Sequence, residues 1–204
     1  MSTVRLPQSP SVLNEPDRPS GPAQSRFLVS GSADNTLRLW SVQSGKCLYK
    51  WEFPTAVKSV AFNETDDQVV CITEQRMGYQ GAIRVFNINR DGDGARRSSL
   101  NHQRRHGCAD PRFSTETSEP TYMFNPIGSK ATVCAFSYVP SRIVTGHMSG
   151  KIAIFDYKTG EEVDNNERAH GDEVTDLQMS PDRTYFITSS KDKAARVSDF
   201  LAPR

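Results

Sequence analysis

From Val29 to Lys46 the chain reads VSGSADNTLRLWSVQSGK: small residues, a lone Asp34, alternating polar and apolar residues up to Trp40, then Ser44-Gly45. Alternation with a period of two marks a strand with one buried face. The same order recurs along the chain. Asp34 and Trp40, Ser149 and Phe155, and Asp192 and Ser198 each stand six residues apart, and Gln80 and Phe86 hold the same two places in CITEQRMGYQGAIRVFNINRDG. Gly45 and Gly160 follow the aromatic position by five residues and Gly92 by six. These glycines predict hairpin tips, because glycine adopts the positive φ of such turns at no steric cost. Upstream, three apolar triplets share one register: Val57, Val60 and Phe62; Ala131, Cys134 and Phe136; Val174, Leu177 and Met179. Each unit is therefore predicted as four strands joined by three turns.

The spacing between units sharpens this. Ser149 and Asp192 are 43 residues apart and Asp34 and Gln80 are 46 apart, close to the roughly 40 to 45 residues of a four-stranded propeller blade. Gln80 and Ser149 are 69 apart, and the excess falls in the Arg- and Ser-rich stretch 94–120, GARRSSLNHQRRHGCADPRFSTETSEP. With few large apolar residues and no sustained period, this stretch is predicted to be a flexible insertion between two blades within a repeat region spanning 27–200. Residues 1–26 carry Pro7, Pro10, Pro16, Pro19 and Pro22 and no long apolar face, which predicts disorder where the first strand of the opening blade would stand. Residues 201–204 form a short tail.

Composition removes several function classes. Lys and Arg number 25 against 24 Asp and Glu, so the net charge of +1 provides no overall field for nucleic acid or an anionic membrane. The arginines of 94–120 read as a solvated loop, with weak contact to RNA or an acidic partner as the second reading. Cys47, Cys71, Cys108 and Cys134 are widely separated, with no C-x-x-C pair, which points to a reducing compartment and away from a disulfide framework or zinc site. His102, His106 and Cys108 fit no common metal spacing. Asp91-Gly92-Asp93-Gly94 starts like a calcium loop but is not completed, so it reads as a turn. No apolar run approaches the ~18 residues of a membrane span, and the N-terminus has no apolar signal core. These features predict a cytoplasmic protein with no cofactor and no metal.

A buried polar relay is expected to hold each blade: a His from the incoming loop, a Ser or Thr on the second strand, an Asp in the tight turn and a Trp on the third strand. His170, Thr188 and Asp192 supply most of it in the last repeat, where Ser198 takes the aromatic place, and Ser30, Asp34 and Trp40 supply it in the first. An Asp near a His and a hydroxyl also suggests a hydrolase built on a propeller. That reading is set aside because the residues recur at repeat spacing and no nucleophile elbow accompanies them, so no catalytic residue is assigned.

Beyond the generic repeats, four stretches carry a closer resemblance: Glu74–Gly81 (EQRMGYQG), Phe124–Phe136, Asn165–Ser180 and Thr188–Val197. Together with the WD-type repeats, they resemble subunit I of eukaryotic translation initiation factor 3, in wording most like the fungal versions, over about residues 27–93 and 119–197. The resemblance implies an all-β fold, a partial WD40-type β-propeller of three to four of seven blades, each a four-stranded antiparallel sheet. It implies a non-enzymatic scaffold of the factor 3 complex, contacting subunits b and g and, indirectly, the small ribosomal subunit, without a membrane or sequence-specific nucleic acid contact. Such a subunit supports recruitment of mRNA and initiator tRNA and start-codon selection. Met77, Gly78, Tyr79 and Gln80 are the expected partner-binding loop. The alternative in the same structural class is a WD adaptor of receptor serine/threonine kinase signalling. The N-terminal segment, the insertion and the abrupt end suggest a truncated or mis-spliced gene model, an expectation that a transcript encoding just this product would contradict.

Overall fold

A computed structural model describes residues 3–5, 27–76, 78–88, 119–126, 128–181 and 184–199. All regular structure among them is β. Fifteen strands form four antiparallel sheets in chain order. The first contains β1 (Thr3–Arg5), β2 (Phe27–Gly31), β3 (Thr36–Ser41) and β4 (Cys47–Glu52). The second contains β5 (Val57–Phe62), β6 (Gln68–Thr73), β7 (Ile83–Asn87) and β8 (Tyr122–Phe124). The third contains β9 (Ala131–Phe136), β10 (Arg142–His147), β11 (Ile152–Asp156) and β12 (Glu161–Asn166). The fourth has three strands, β13 (Val174–Met179), β14 (Tyr185–Ser190) and β15 (Ala195–Asp199). Within each sheet the strands are hydrogen-bonded in sequence order, each antiparallel to its neighbour.

The three apolar triplets are the first or innermost-numbered strands β5, β9 and β13 of their sheets, and each packs on the sheet before it. The second strands carry the key to the stacking. Ser30, Cys71, Thr145 and Thr188 share one register, and the residues before the first three, Val29, Val70 and Val144, are buried against the following sheet. One residue further back, Val69, Ile143 and Phe186 turn the other way and are buried against the preceding sheet. This alternation makes a partial propeller: every blade has an apolar leading face and an apolar trailing face. Near one rim the sheets come unusually close. A Cβ on Gly31 would sit 2.5 Å from Val57 Cγ1, and one on Gly146 would sit 2.6 Å from Val174 Cγ1. The missing side chain makes room for the valine that opens the next sheet.

The tight turns between second and third strands match across sheets. Asn35, Gly150 and Lys193, each directly after Asp34, Ser149 and Asp192, have positive φ of 67°, 85° and 68°. Gly45 and Gly160 take positive φ in the next turn of their sheets, whereas Gly92 lies outside the described residues.

Three expectations are corrected. Within residues 1–26, Thr3–Arg5 pairs antiparallel with Val29–Gly31 as β1. The two β-branched residues of this segment precede its first proline and satisfy the otherwise open edge of β2; the remainder of 1–26 lies outside the described residues. The 94–120 stretch falls between β7 and β8, inside the second blade and not between two blades. Its residues 94–118, including His102, His106, Cys108 and the arginine cluster, lie outside the described residues. Gln80 does not occupy the bend of the second sheet, because its loop is longer: Arg76 and Tyr79 exchange two backbone hydrogen bonds, with Gly78 at φ 84°.

Candidate functional site

Two features gather on the rim formed by the turns between second and third strands and the loops between sheets. In the fourth blade, Asp192 Oδ2 accepts hydrogen bonds from His170 Nδ1 at 3.0 Å and from the Gly171 backbone N–H at 2.9 Å. With Nδ1 donating, Nε2 must accept, so the Thr188 hydroxyl donates to it across 2.8 Å. The Gly171 and Ala194 amides and His170 hold the Asp192 carboxyl well below the usual carboxylate range. The loop before β13 is thus tied to the turn after β14. An Asp–His–Thr chain has the order of a hydrolytic triad, but Thr188 is completely buried. Its hydroxyl is enclosed by protein and holds His170 in place.

The first blade splits the expected relay. Trp40 Nε1 donates to Ser30 Oγ at 2.9 Å, while Asp34 Oδ1 accepts from the Thr36 amide and hydroxyl and closes its own turn. Asp34 and Ser30 are therefore not brought into one chain. The third blade has a relay that the sequence reading missed. His147 comes from β10 itself, with Nδ1 donating to the Ser129 carbonyl at 3.1 Å and Nε2 accepting from Thr145 at 2.9 Å. The signal was Thr145, at the register of Thr188; the histidine stands two residues after it and not in an incoming loop. In the second blade that register holds Cys71, and Thr73, two residues on, receives a hydrogen bond from Arg84, whose guanidinium lies over the Phe53 ring at 5.1 Å.

Burial pushes the His147 pKa below 6.5, aided by nearby Lys151, whose ammonium bridges Glu162 and Glu167 at 2.8 and 2.9 Å. The Ser129 carbonyl and the two glutamates oppose that shift without reversing it. Folded His147 is neutral where the unfolded chain already binds a proton, so acid favours unfolding. Stability should fall as the pH drops below 6.5, by up to ~1.4 kcal/mol per pH unit, until the folded-state value is passed. Urea unfolding at pH 7.5 and 5.5 checks this: His147→Gln should show a shallower loss than the wild type, and equal losses would contradict it.

The second feature is a cleft of about 430 Å³ between the second and third blades, lined by Gln75, Gln80, Gly81 and Ala82 on one side and by Asn125, Ser129 and Lys130 on the other. Gln80 and Asn125 face each other across it, with Asn125 Nδ2 donating to Gln80 Oε1 at 2.9 Å. Gly81 is closely packed, since a Cβ there would lie 3.0 Å from the Thr73 carbonyl oxygen. Gly78 and Tyr79 project at the loop tip, with Tyr79 half exposed, while Met77 lies outside the described residues. Amides, Ser129 and Lys130 line a rim that suits main-chain and side-chain contacts to a peptide. No group of three or more metal-ligating side chains occurs among the described residues, and no helix there is long and apolar enough to cross a membrane.

Comparison with known proteins agrees with this architecture. The family model "WD domain, G-beta repeat" matches residues 22–41 and 164–199. Eukaryotic translation initiation factor 3 subunit I of Mycosarcoma maydis is 45% identical over 183 residues, covering 86% of this chain and 48% of that relative. The same subunit of Schizosaccharomyces pombe is 44% identical over 176 residues, covering 86% and 48%. That of Emericella nidulans is 42% identical over 172 residues, covering 84% and 46%. The chain spans about half the length of the curated relatives it matches.

Proposed function

We propose that this chain, a WD-repeat relative of eukaryotic translation initiation factor 3 subunit I, acts as a non-enzymatic scaffold subunit of the factor 3 complex. In that role it supports recruitment of mRNA and initiator tRNA to the small ribosomal subunit and start-codon selection. The observation that carries the reading is the 42 to 46% identity to several fungal subunits, sustained over 84 to 86% of the chain. The physical arrangement is compatible with it. Stacked sheets present loops on a stiff frame, so a partner segment docks without the scaffold refolding. The relay of His170, Thr188 and Asp192 uses its polar groups to fix a loop.

Subunits b and g of factor 3 are the proposed direct partners, with Met77, Gly78, Tyr79 and Gln80 as one contact loop and the small ribosomal subunit reached through them. Affinity purification of the tagged protein from its own cells tests this. Recovery of the other factor 3 subunits supports the reading, and recovery of receptor or kinase partners without them overturns it. Tyr79→Ala should lower recovery of subunits b and g at least about tenfold, as loss of an aromatic interface anchor does; undiminished recovery would remove the loop from the contact.

A further inference from the structure

In the first sheet Arg38 pairs with Asp34 at 3.8 Å. Arg84 holds the same register on β7, opposite Cys71 as Arg38 is opposite Ser30, but the residue four before it is Gln80, whose side chain is engaged by Asn125. Arg84 donates to Thr73 Oγ1 and lies over the Phe53 ring. Glu74, the residue after Thr73, is held by Lys58 at 3.1 Å. Among the described residues no carboxylate meets Arg84, although partial burial disfavours its charge. A guanidinium so placed keeps spare N–H donors, and a buried charge is ordinarily paired. Met123 stands directly across from Arg84 on β8, so both side chains lie on one face of the sheet, and Met123 is 59% exposed. Trp51 packs on Phe86, two residues along β7 from Arg84, and its buried indole N–H meets no acceptor. A cation without a counterion, an N–H without an acceptor and an exposed thioether thus gather where the first and second sheets meet, and the chain itself supplies both sheets.

We propose that this junction receives an acidic segment of a partner protein, an Asp or Glu side chain pairing with Arg84 as Asp34 pairs with Arg38, and an adjoining apolar residue covering Met123. Charge decides the class of anion. Among the described residues no second cation acts on Arg84, and one guanidinium matches the single charge of a carboxylate, whereas a phosphate carries nearly two. Met123 and the Phe53 ring supply the apolar contact that a short peptide needs beside its charge. The site is separate from the cleft at Gln80 and stands on these two sheets whichever assembly the chain joins.

Fluorescence anisotropy of a labelled Gly-Glu-Leu-Glu-Leu-Glu-Gly peptide, titrated with the 204-residue chain, tests this. Saturable binding below about 1 mM is expected, weakening severalfold between about 50 and 300 mM salt. Arg84→Gln should weaken it at least about tenfold. Met123→Glu, a change at an exposed position, places a carboxylate opposite Arg84 within the chain and should have the same effect while circular dichroism stays unchanged. Met148→Glu adds the same charge at an exposed position of the third blade and should leave binding as it was. Absence of binding, equal binding of the peptide with Gln in place of Glu, or binding that survives Met123→Glu overturns the proposal. Tighter binding of a phosphoserine version or of a short RNA also overturns it, by making phosphate the preferred anion.

Discussion

Gly150→Ala is expected to cost at least about 3 kcal/mol of stability, against about 1 kcal/mol for Gly45→Ala. Both glycines have positive φ, 85° and 65°, so both variants carry the penalty of placing an L side chain in the left-handed region. Only Gly150 adds a collision. A Cβ there would lie 2.2 Å from the His170 carbonyl oxygen, whereas one at Gly45 meets nothing within 4 Å. The obstacle is backbone and cannot rotate away, and the Gly150 carbonyl also accepts the His170 N–H at 3.0 Å. The turn of the third blade and the loop into the fourth are thus locked together, and separating them should disturb the His170–Asp192 contact as well. Equilibrium urea unfolding followed by tryptophan fluorescence compares the variants; equal losses at the two glycines would refute the account.

Phe86→Ala should be as damaging, at about 3 to 5 kcal/mol, the range for removing a buried aromatic side chain without collapse of the cavity. Phe86 is 2% exposed and lies 4.9 Å from the Trp51 ring and 6.1 Å from Phe53, at the junction of the first two sheets. Sheets in a repeat array are stabilised through nearest neighbours, so the loss falls on that junction before it spreads. Trp51 is the local reporter. Its emission should shift to the red in the variant before global unfolding, and an unchanged spectrum with unchanged stability would contradict the packing described. With total stability of ~5 to 15 kcal/mol for a domain, either variant leaves little reserve.

The parts of the fold that were legible in the sequence are those in which one physical demand recurs. Val57, Ala131 and Val174 open strands that meet a preceding sheet, and Asp34, Ser149 and Asp192 precede matching left-handed residues; both demands leave a spaced imprint. The misplaced parts have no such imprint. Thr3–Arg5 is recruited by the free edge of β2, a requirement of the neighbour that three residues cannot announce. β8 is equally short, Tyr122–Phe124, so the sequence pattern places the Arg-rich stretch before it at the boundary between blades, whereas it lies between the third and fourth strands of one blade. The length of the Glu74–Gly81 loop hid the true bend from an alignment based on Gln80.

The candidate site divides the same way. His170, Thr188 and Asp192 were recognisable because loop, strand and turn each contribute one member at the expected distance. His147 was not, because a histidine two residues beyond Thr145 on one strand looks like an ordinary surface position until the Ser129 carbonyl is seen beside it. The cleft between Gln80 and Asn125 depends on residues 45 apart meeting across an insertion, which no local pattern encodes.

The bare backbone at Gly31 and Gly146, filled by Val57 and Val174, keys each of these sheets to its successor at a single point near one edge. Such keys resist sliding but leave the far edge freer to splay. Flexing of the arc should then pivot about these points, changing the spacing of the loops at the opposite edge while the turns bearing Asp34 and Ser149 keep their distance from the sheets that follow.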